Sequence, residues 1–258
     1  MKNIAIVTGA SSGIGKEFFL SLLDKQLDEI WVVARNEEKL QELQKHTHIP
    51  LRVFPLDLSK SEASETLGNA MKEAEISISY LICASGFGRF CAVEEDETST
   101  LENMIDLNCK SIVSLTKTAA PFMQKGGSMI LIASVAAFQP IPYIATYAAS
   151  KAFVLSYGRA FNVELRKRYG ARCLCVCPFW TKTAFFDRAI SPDENAVVKK
   201  YAVMYEPQQI VKQAWKDLKK KNKDISIFGA YTKAQSLLVK LLPHRMVIST
   251  WLNQQKLK

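Results

Sequence analysis

Short, almost wholly apolar runs alternate along the chain with longer amphipathic stretches, and this alternation decides which folds are open to it. "NIAIVTG", "EIWVVAR", "LRVFPLD", "SYLICAS", "SMILIAS" and "RCLCVCP" are near-continuous apolar runs, and "DISIFG" is a shorter seventh. A strand with apolar side chains on both pleat faces must be covered on both, as in a buried parallel sheet. The stretches between them, residues 13–25, 37–46, 59–75, 98–125, 143–169 and 207–222, have helical spacing. Strand, helix and strand joined by right-handed crossovers predict an α/β fold, one doubly wound parallel sheet of about seven strands with helices on both faces. A chain of 258 residues can bury such a core as a single domain, 1–258. Residues 184–206 break the rhythm, and the expectation is an excursion over the carboxyl ends of the strands, where these sheets bind ligands.

Composition removes several classes of chemistry. Cys83, Cys91 and Cys109 are scattered, and Cys173, Cys175 and Cys177 share one face of a single strand. Such neighbours cannot complete a tetrahedral metal site or close three bridges, so buried thiols are expected and no metal. His46, His48 and His244 lie near no ligand cluster. No apolar run approaches the roughly 18 residues of a membrane span, and "MKNIAIVTGA" has no signal-peptide pattern. A cytoplasmic protein is the expectation.

The net charge of +9 is unevenly placed. Residues 1–198 hold 21 Lys+Arg against 22 Asp+Glu, whereas residues 199–258 hold 13 against 3, a balance of +10. "KDLKKKNKD" fits a solvated helix end, where the dipole favours cations. An acidic substrate, an acidic carrier protein or an anionic membrane surface is the other reading. A nucleic-acid partner is not expected, because the basic stretch has no recognisable reading motif.

"TGASSGIG", residues 8–15, follows the first strand and opens the first helix. Gly9 permits the sharp turn, Gly13 lets a pyrophosphate approach the backbone, and Gly15 lets helix and sheet close up, while the helix N-terminus offers unpaired N–H groups. The spacing is G-x3-G-x-G, but the strand–turn–helix context is the required one. At the end of the second strand, where a carboxylate usually holds a free ribose 2′-OH, the chain has Ala34, Arg35 and Asn36. A guanidinium suits a 2′-phosphate, which favours NADP(H) over NAD(H).

In "ATYAASKAF", Tyr147 and Lys151 stand one helical turn apart and can face the same place. A cation about 4 Å from the phenol, at an effective dielectric of about 20, contributes roughly 4 kcal/mol, or about three pKa units. That would bring a phenol of pKa near 10 toward neutrality.

"TGASSGIG", "LDLS", Asn108 in "MIDLNCKS", Ser134 in "LIAS" and "YAASK" together resemble the short-chain dehydrogenase/reductase family in its compact single-domain branch, a Rossmann fold, over roughly residues 3–185. The resemblance implies a catalytic set of Asn108, Ser134, Tyr147 and Lys151. Tyr147 would exchange the proton with the substrate oxygen, Lys151 would lower its pKa and hold the nicotinamide ribose, and Ser134 would hydrogen-bond the carbonyl oxygen. Asn108, at a kink in its helix, would hold a water linking Lys151 to solvent. Cofactor contacts are implied for Gly9, Ser11, Ser12, Gly13, Ile14, Gly15, Arg35, Asn36, Asp57 and Leu58. They continue through Ala84, Ser85, Gly86, Tyr147, Lys151, Pro178, Trp180, Thr181 and Thr183.

The chain departs from the family pattern at two places. Cys83-Ala84-Ser85-Gly86 replaces the usual Asn-Asn-Ala-Gly, so part of the adenine-side wall must be built differently. Pro178-Phe179 replaces the usual Pro-Gly, which should narrow the pocket by the nicotinamide. The expected substrate lining is Ser134, Ala136, Phe138, Ile141, Pro142, Tyr147, Phe179, Trp180, Phe185 and Phe186, an apolar set that favours a hydrophobic ketone or secondary alcohol.

The basic tail, 230–258, carries Leu237, Leu238, Leu241, Leu242, Met246, Val247, Trp251 and Leu252 around Pro243. A helix on the body or on a second subunit of a homodimer or homotetramer, a membrane-surface helix and a substrate lid all fit that pattern. An NADP-dependent enzyme acting on CH–OH groups is the leading functional reading. A 3-oxoacyl (carrier protein or CoA) reductase is the alternative within the enzymes, and a catalytically silent cofactor-binding regulatory module is the alternative outside them.

Overall fold

The computed structural model describes residues 1–190, 197–198 and 200–257. Seven parallel strands form one sheet: β1 (Lys2–Thr8), β2 (Glu29–Ala34), β3 (Leu51–Pro55), β4 (Ile76–Cys83), β5 (Met123–Ile132), β6 (Arg172–Val176) and β7 (Ile225–Ser226). Their spatial order is β3-β2-β1-β4-β5-β6-β7. The chain therefore winds outward from β1 in one direction, then returns to β4 and winds out in the other. The crevice between β1 and β4 lies where that reversal leaves the connecting loops apart.

Period-two side chains explain both cores. Ile4 and Ile6 of β1 and Cys173 and Cys175 of β6 pack with helices α3 (Ser61–Glu73), α5 (Ser111–Ala119) and α6 (Ala145–Tyr169) on one face. Ala5 and Val7, with Leu174 and Val176, pack on the other face with α1 (Gly13–Leu22) and α8 (Pro207–Leu218). Both faces of each central strand are dry, which is why the runs read as continuously apolar. The six cysteines are buried thiols, and no cluster of metal-ligating side chains occurs among the described residues. No helix among the described residues is long and apolar enough to cross a membrane.

Three boundaries depart from the expected ones. The stretch expected as one helix over 98–125 is α4 (Thr98–Ile105), a π-turn at Asp106–Lys110 and α5, and β5 has already begun at Met123. The π-turn contains Asn108, the residue expected at a kink. Chain entering β5 is irregular, with the register shifting between Ile78 and Tyr80 and Gly126 at φ 86°. The helix α2 covers only Glu37–Gln41 and tightens into a 3-10 turn to His46. β7 contributes two residues, paired with Cys175 and Val176.

The expected excursion contains a short helix α7 (Phe185–Ala189), while 191–196 and 199 lie outside the described residues. Its base is tied by Lys182 N–H donating to the Tyr205 carbonyl at 2.9 Å and Tyr205 N–H donating to the Trp180 carbonyl at 2.9 Å. The tail forms two helices, α9 (Ala230–Leu241) and α10 (His244–Gln255), broken at Pro243.

The long helix α6 is held against β5 and β6 by a close approach at Gly158. A methyl there would collide with Cys175 Sγ and come within 2.9 Å of Leu131 Cδ1. Gly158→Ala is expected to lower stability by about 1–3 kcal/mol through overpacking, read from urea unfolding. Adding Cys175→Ala removes the nearest obstacle, so the double variant should lose less than the sum of the two single losses.

Candidate active site

Four elements end at the same crevice. The loop after β1 carries Gly9, whose φ of 67° and approach to Ala84, 2.9 Å for an added methyl, admit no side chain. It leads to Ser12, the first cap of α1, which makes no side-chain capping bond, and the first turn of α1 holds no acidic residue. Its N–H groups are left facing the cleft, as a bound phosphate requires.

The loop after β4 lacks the two asparagines of the family pattern, and the wall is built by Thr8 instead. Its hydroxyl accepts from Ala84 N–H at 3.1 Å and Ser85 N–H at 3.2 Å. Asn108 clamps the same loop from behind. Its Oδ1 accepts from Phe87 N–H at 3.1 Å, and its Nδ2 donates to the Phe87 carbonyl at 2.9 Å and to Ser150 Oγ at 3.0 Å. Asn108 is wholly buried and stands behind the cleft wall rather than on it. Ser150 Oγ in turn donates to the Tyr147 carbonyl at 2.7 Å, so the π-turn in the α4–α5 segment is wired into α6.

The cleft, about 460 Å³, is lined along one side by Gly9, Ser11, Ser12, Gly13, Ile14, Gly15, Arg35, Asn36, Asp57, Leu58, Ala84, Ser85 and Gly86. Asn36 accepts from Lys39 N–H at 2.7 Å and caps α2. Asp57 Oδ1 accepts from Ser59 N–H and Oγ. Burial opposes its ionisation, but those bonds and the nearby Arg35 and Lys60 hold its carboxyl below the ordinary range. Ser134, Ala136, Ile141, Tyr147, Lys151, Pro178, Phe179, Trp180, Thr181, Thr183, Phe185 and Phe186 line the other end. Two expected lining residues do not. Phe138 ends a 3-10 turn, packs on the core beside α6 and has the Lys240 ammonium 4.4 Å from its ring, so its side chain is spent outside the cleft. Pro142 is not on the wall either, its carbonyl accepting from Trp251 Nε1 at 3.1 Å.

Tyr147 and Lys151 do face one place. Lys151 is 5% exposed, its Nζ donates to the Ile132 carbonyl at 2.8 Å, and it sits 5.6 Å from the Tyr147 ring centroid. The electrostatic expectation is reversed in sign, however. Tyr147 shows part of its surface to the cleft but is enclosed by the fold, and that enclosure pushes the phenol up to about 12. A hydrogen bond with Ser134 opposes the rise and the Cys177 thiol adds to it. Burial likewise pulls Lys151 down to about 8, against smaller raising effects from Cys109 and Cys177. At this separation desolvation exceeds the pairwise attraction.

A family model for the short chain dehydrogenases matches residues 3–194. The chain belongs to the short-chain dehydrogenase family. Among curated members it is similar to the very-long-chain 3-oxoacyl-CoA reductase of Neurospora crassa, 33% identical over 176 residues, 63% of this chain and 51% of that one. The similarly named protein of Phaeosphaeria nodorum is 31% identical over 219 residues, 81% of this chain and 61% of the other. The chain thus spans about half the length of the first of these relatives.

Among solved structures, a 7beta-hydroxysteroid dehydrogenase superposes with TM-score 0.80 at 22% identity, covering 96% of both chains. A short-chain dehydrogenase from Sphingobium yanoikuyae in complex with NADPH gives 0.77 at 22%, over 91% of this chain and 92% of that one. A 4-hydroxyisoleucine dehydrogenase complexed with NADH gives 0.73 at 24%, over 88% and 96%. Dehydrogenases of this fold hold either nicotinamide dinucleotide, and at these identities the likeness shows the fold alone.

Several lining residues of this short-chain dehydrogenase escaped the sequence reading. Arg188 of α7 reaches the end of the cleft lined by Arg35 and Asp57, its guanidinium 3.5 Å from the centre of the Phe87 ring. Burial and the neighbouring Arg35 and Arg89 lower its pKa, with Asp57 opposing them. Gln235 and Ser236 of α9 line the far end with buried side-chain oxygens that have no hydrogen-bond partner. Only the helical period of α9 could have placed them, and its strongest apolar signal points the other way.

The buried ammonium has a measurable consequence. Lys151 titrates near 8 in the folded protein against an ordinary 10.5. Between those values the unfolded chain binds the extra proton, so stability rises with pH across that window. The wild type should gain on the order of 3 kcal/mol from pH about 8 to 10.5 relative to Lys151→Met, in urea unfolding at several pH values. Parallel pH profiles for the two proteins would contradict it.

Proposed function

We propose that this chain is an NADP(H)-dependent oxidoreductase that interconverts a hydrophobic ketone and its secondary alcohol, with Tyr147 passing the proton. The observation that carries the reading is the convergence of Tyr147, Lys151 and Ser134 on one wall of a cleft whose opposite end is basic. A bound nicotinamide would supply or accept the hydride at its C4. The residues fit such a group: the uncapped N–H groups at the start of α1 would hold its pyrophosphate, and Gly86 and Lys151 would hold its ribose.

Near neutral pH the chain's own groups are held with the proton on the phenol. A phenol raised to about 12 is fully protonated there, and so is ready to donate to a carbonyl oxygen. Lys151, lowered to about 8, is still mostly charged at pH 7, and as Tyr147 gives up its proton the ammonium stabilises the tyrosinate left behind. Ser134 Oγ accepts from Ala136 N–H at 3.1 Å, which orients its hydroxyl toward Tyr147 and the substrate oxygen. Asn108 holds the backbone of the β4 loop directly and that of α6 through the Ser150 hydroxyl, and thereby positions the pair.

Cofactor choice is read from charge. Arg35, Lys39 and Arg188 line the adenosine end and Asp57 is the carboxylate there, so a 2′-phosphate supplies a missing anion. Substrate class is read from the other end. Trp180 and Phe186, which line it, each pack edge to face on Tyr201 behind them at 5.1 and 5.4 Å, and Phe185 lies 5.4 Å from Tyr147. That wall suits an acyl chain, an aryl group or a steroid. Similarity to 3-oxoacyl-CoA reductases favours a 3-oxoacyl thioester as the specific form. Gln235 and Ser236 are the polar groups available to a thioester arm.

An NADPH- and NADH-oxidation panel over steroid ketones, aryl ketones and 3-oxoacyl thioesters tests the assignment, and indifference to every carbonyl would remove it in favour of a silent binding module. Tyr147→Phe is expected to abolish turnover while leaving NADPH binding within about twofold, by fluorescence titration. Arg35→Asp should raise the KM for NADPH by roughly 10–100-fold, the loss of a charge-assisted bond to phosphate, with little change for NADH. Equal effects on the two would remove the NADP(H) assignment.

A further inference from the structure

The amphipathicity of α9 is inverted. Thr232, Ser236 and Val239 form its buried face, and Gln235, Ser236 and Val239 line the cleft. The face turned outward carries Leu237, Leu238 and Leu241, exposed to 61%, 53% and 74%. Met246, just past Pro243, is 55% exposed. Leucines grouped on the outer face of a helix that buries hydroxyls mark a surface that meets something apolar. The neighbouring α10 does not cover them. It docks inward through Val247 and Trp251 and is tied down by Gln255, whose side chain exchanges hydrogen bonds with the Lys200 backbone at 3.0 and 3.1 Å.

Charge identifies the occupant. From Ile225 to the end the chain has no acidic residue and five basic ones, Lys233, Lys240, Arg245, Lys256 and Lys258. On the helical wheel Lys233 stands beside Leu237 at one edge of the leucine face, and Lys240 lies on that same side with its ammonium over Phe138. An apolar stripe with a basic margin matches an anionic lipid surface, apolar side chains entering the acyl boundary and cations meeting headgroups. A second copy is a poorer match, since a two-fold contact through this face would bring together two tails that each hold five basic and no acidic residues from Ile225 onward.

We propose that the outer face of α9 docks onto an anionic membrane surface. Because the inner face of the same helix is a wall of the cleft, docking sets the apolar end of the site at the lipid boundary. The contact depends on surface residues alone and stands whether or not the catalytic assignment does.

Flotation of the full chain with phosphatidylcholine vesicles, with and without phosphatidylserine, tests it. Binding is expected with phosphatidylserine, weakening as salt rises. The double variant Leu238→Ser/Leu241→Ser should bind at least tenfold more weakly, each leucine being worth roughly a factor of ten or more in buried area. Lys233→Gln should cost about fivefold and flatten the salt dependence. Thermal unfolding of the double variant should match the wild type, since both leucines are exposed, and so reports that the fold is kept. Failure of the wild type to float at low salt, or equal flotation by the leucine variant, overturns the proposal. So does a dimer in sedimentation equilibrium that the leucine variant breaks, because a second copy would then be covering the face.

Discussion

A single hydrogen bond, from the Lys151 ammonium to the carbonyl of Ile132, fixes the register of α6 against the end of the central strand β5. An ammonium only 5% exposed could not persist without an acceptor, and a carbonyl at a strand's end has one to spare. With Lys151 pinned there, helical geometry carries Tyr147 one turn toward the start of α6, facing Ser134. The lead-in is constrained as well, since Tyr143 holds φ 65°, a conformation rare for a bulky side chain. Asn108 then binds the back of α6 to the loop after β4, so that strand ends, the α4–α5 segment and α6 form one unit.

Much of this was legible in the sequence for a physical reason. The strands are apolar on both faces because both faces are covered, and that pattern survives without any knowledge of neighbours. The glycine turn and the Tyr147–Lys151 spacing are local, so their geometry follows from short-range rules. Sign and magnitude at the site were not legible. Spacing says that a cation can stand near a phenol, but whether attraction or desolvation prevails depends on how much protein encloses the two, which involves Cys177, Ile132 and residues far away in sequence. The misplacement of Phe138 has the same origin, since only tertiary contact with Lys240 and the α6 core draws that ring off the cleft.

The helix expected to run to 125 shows a second limit. Helical periodicity continues through "SLTKTAAPFMQK", yet Pro121 and the glycines at 126 and 127 are where the backbone must leave the helix and join β4. Ladder pairing of Met123 with Ile78 overrides a local preference, as tertiary context commonly does. Arg188 is a case with no local signal at all. It lies in the stretch that breaks the strand–helix rhythm, and only the folding of α7 over the cleft brings its guanidinium to Phe87 and Arg35.

The two ends of the cleft demand different chemistry from one ligand pair. At one end guanidiniums and helix N–H groups leave positive charge in want of an anion, a cost that grows as water is excluded. At the other, a wall of Phe90, Trp180, Phe185 and Phe186 gains by excluding water. Tyr147 and Lys151 sit at the junction, where dry surroundings keep the phenol protonated and make the ammonium's proton easier to lose. Tyr147 therefore stands where the dielectric falls, held in its acid form by the enclosure that the apolar wall extends.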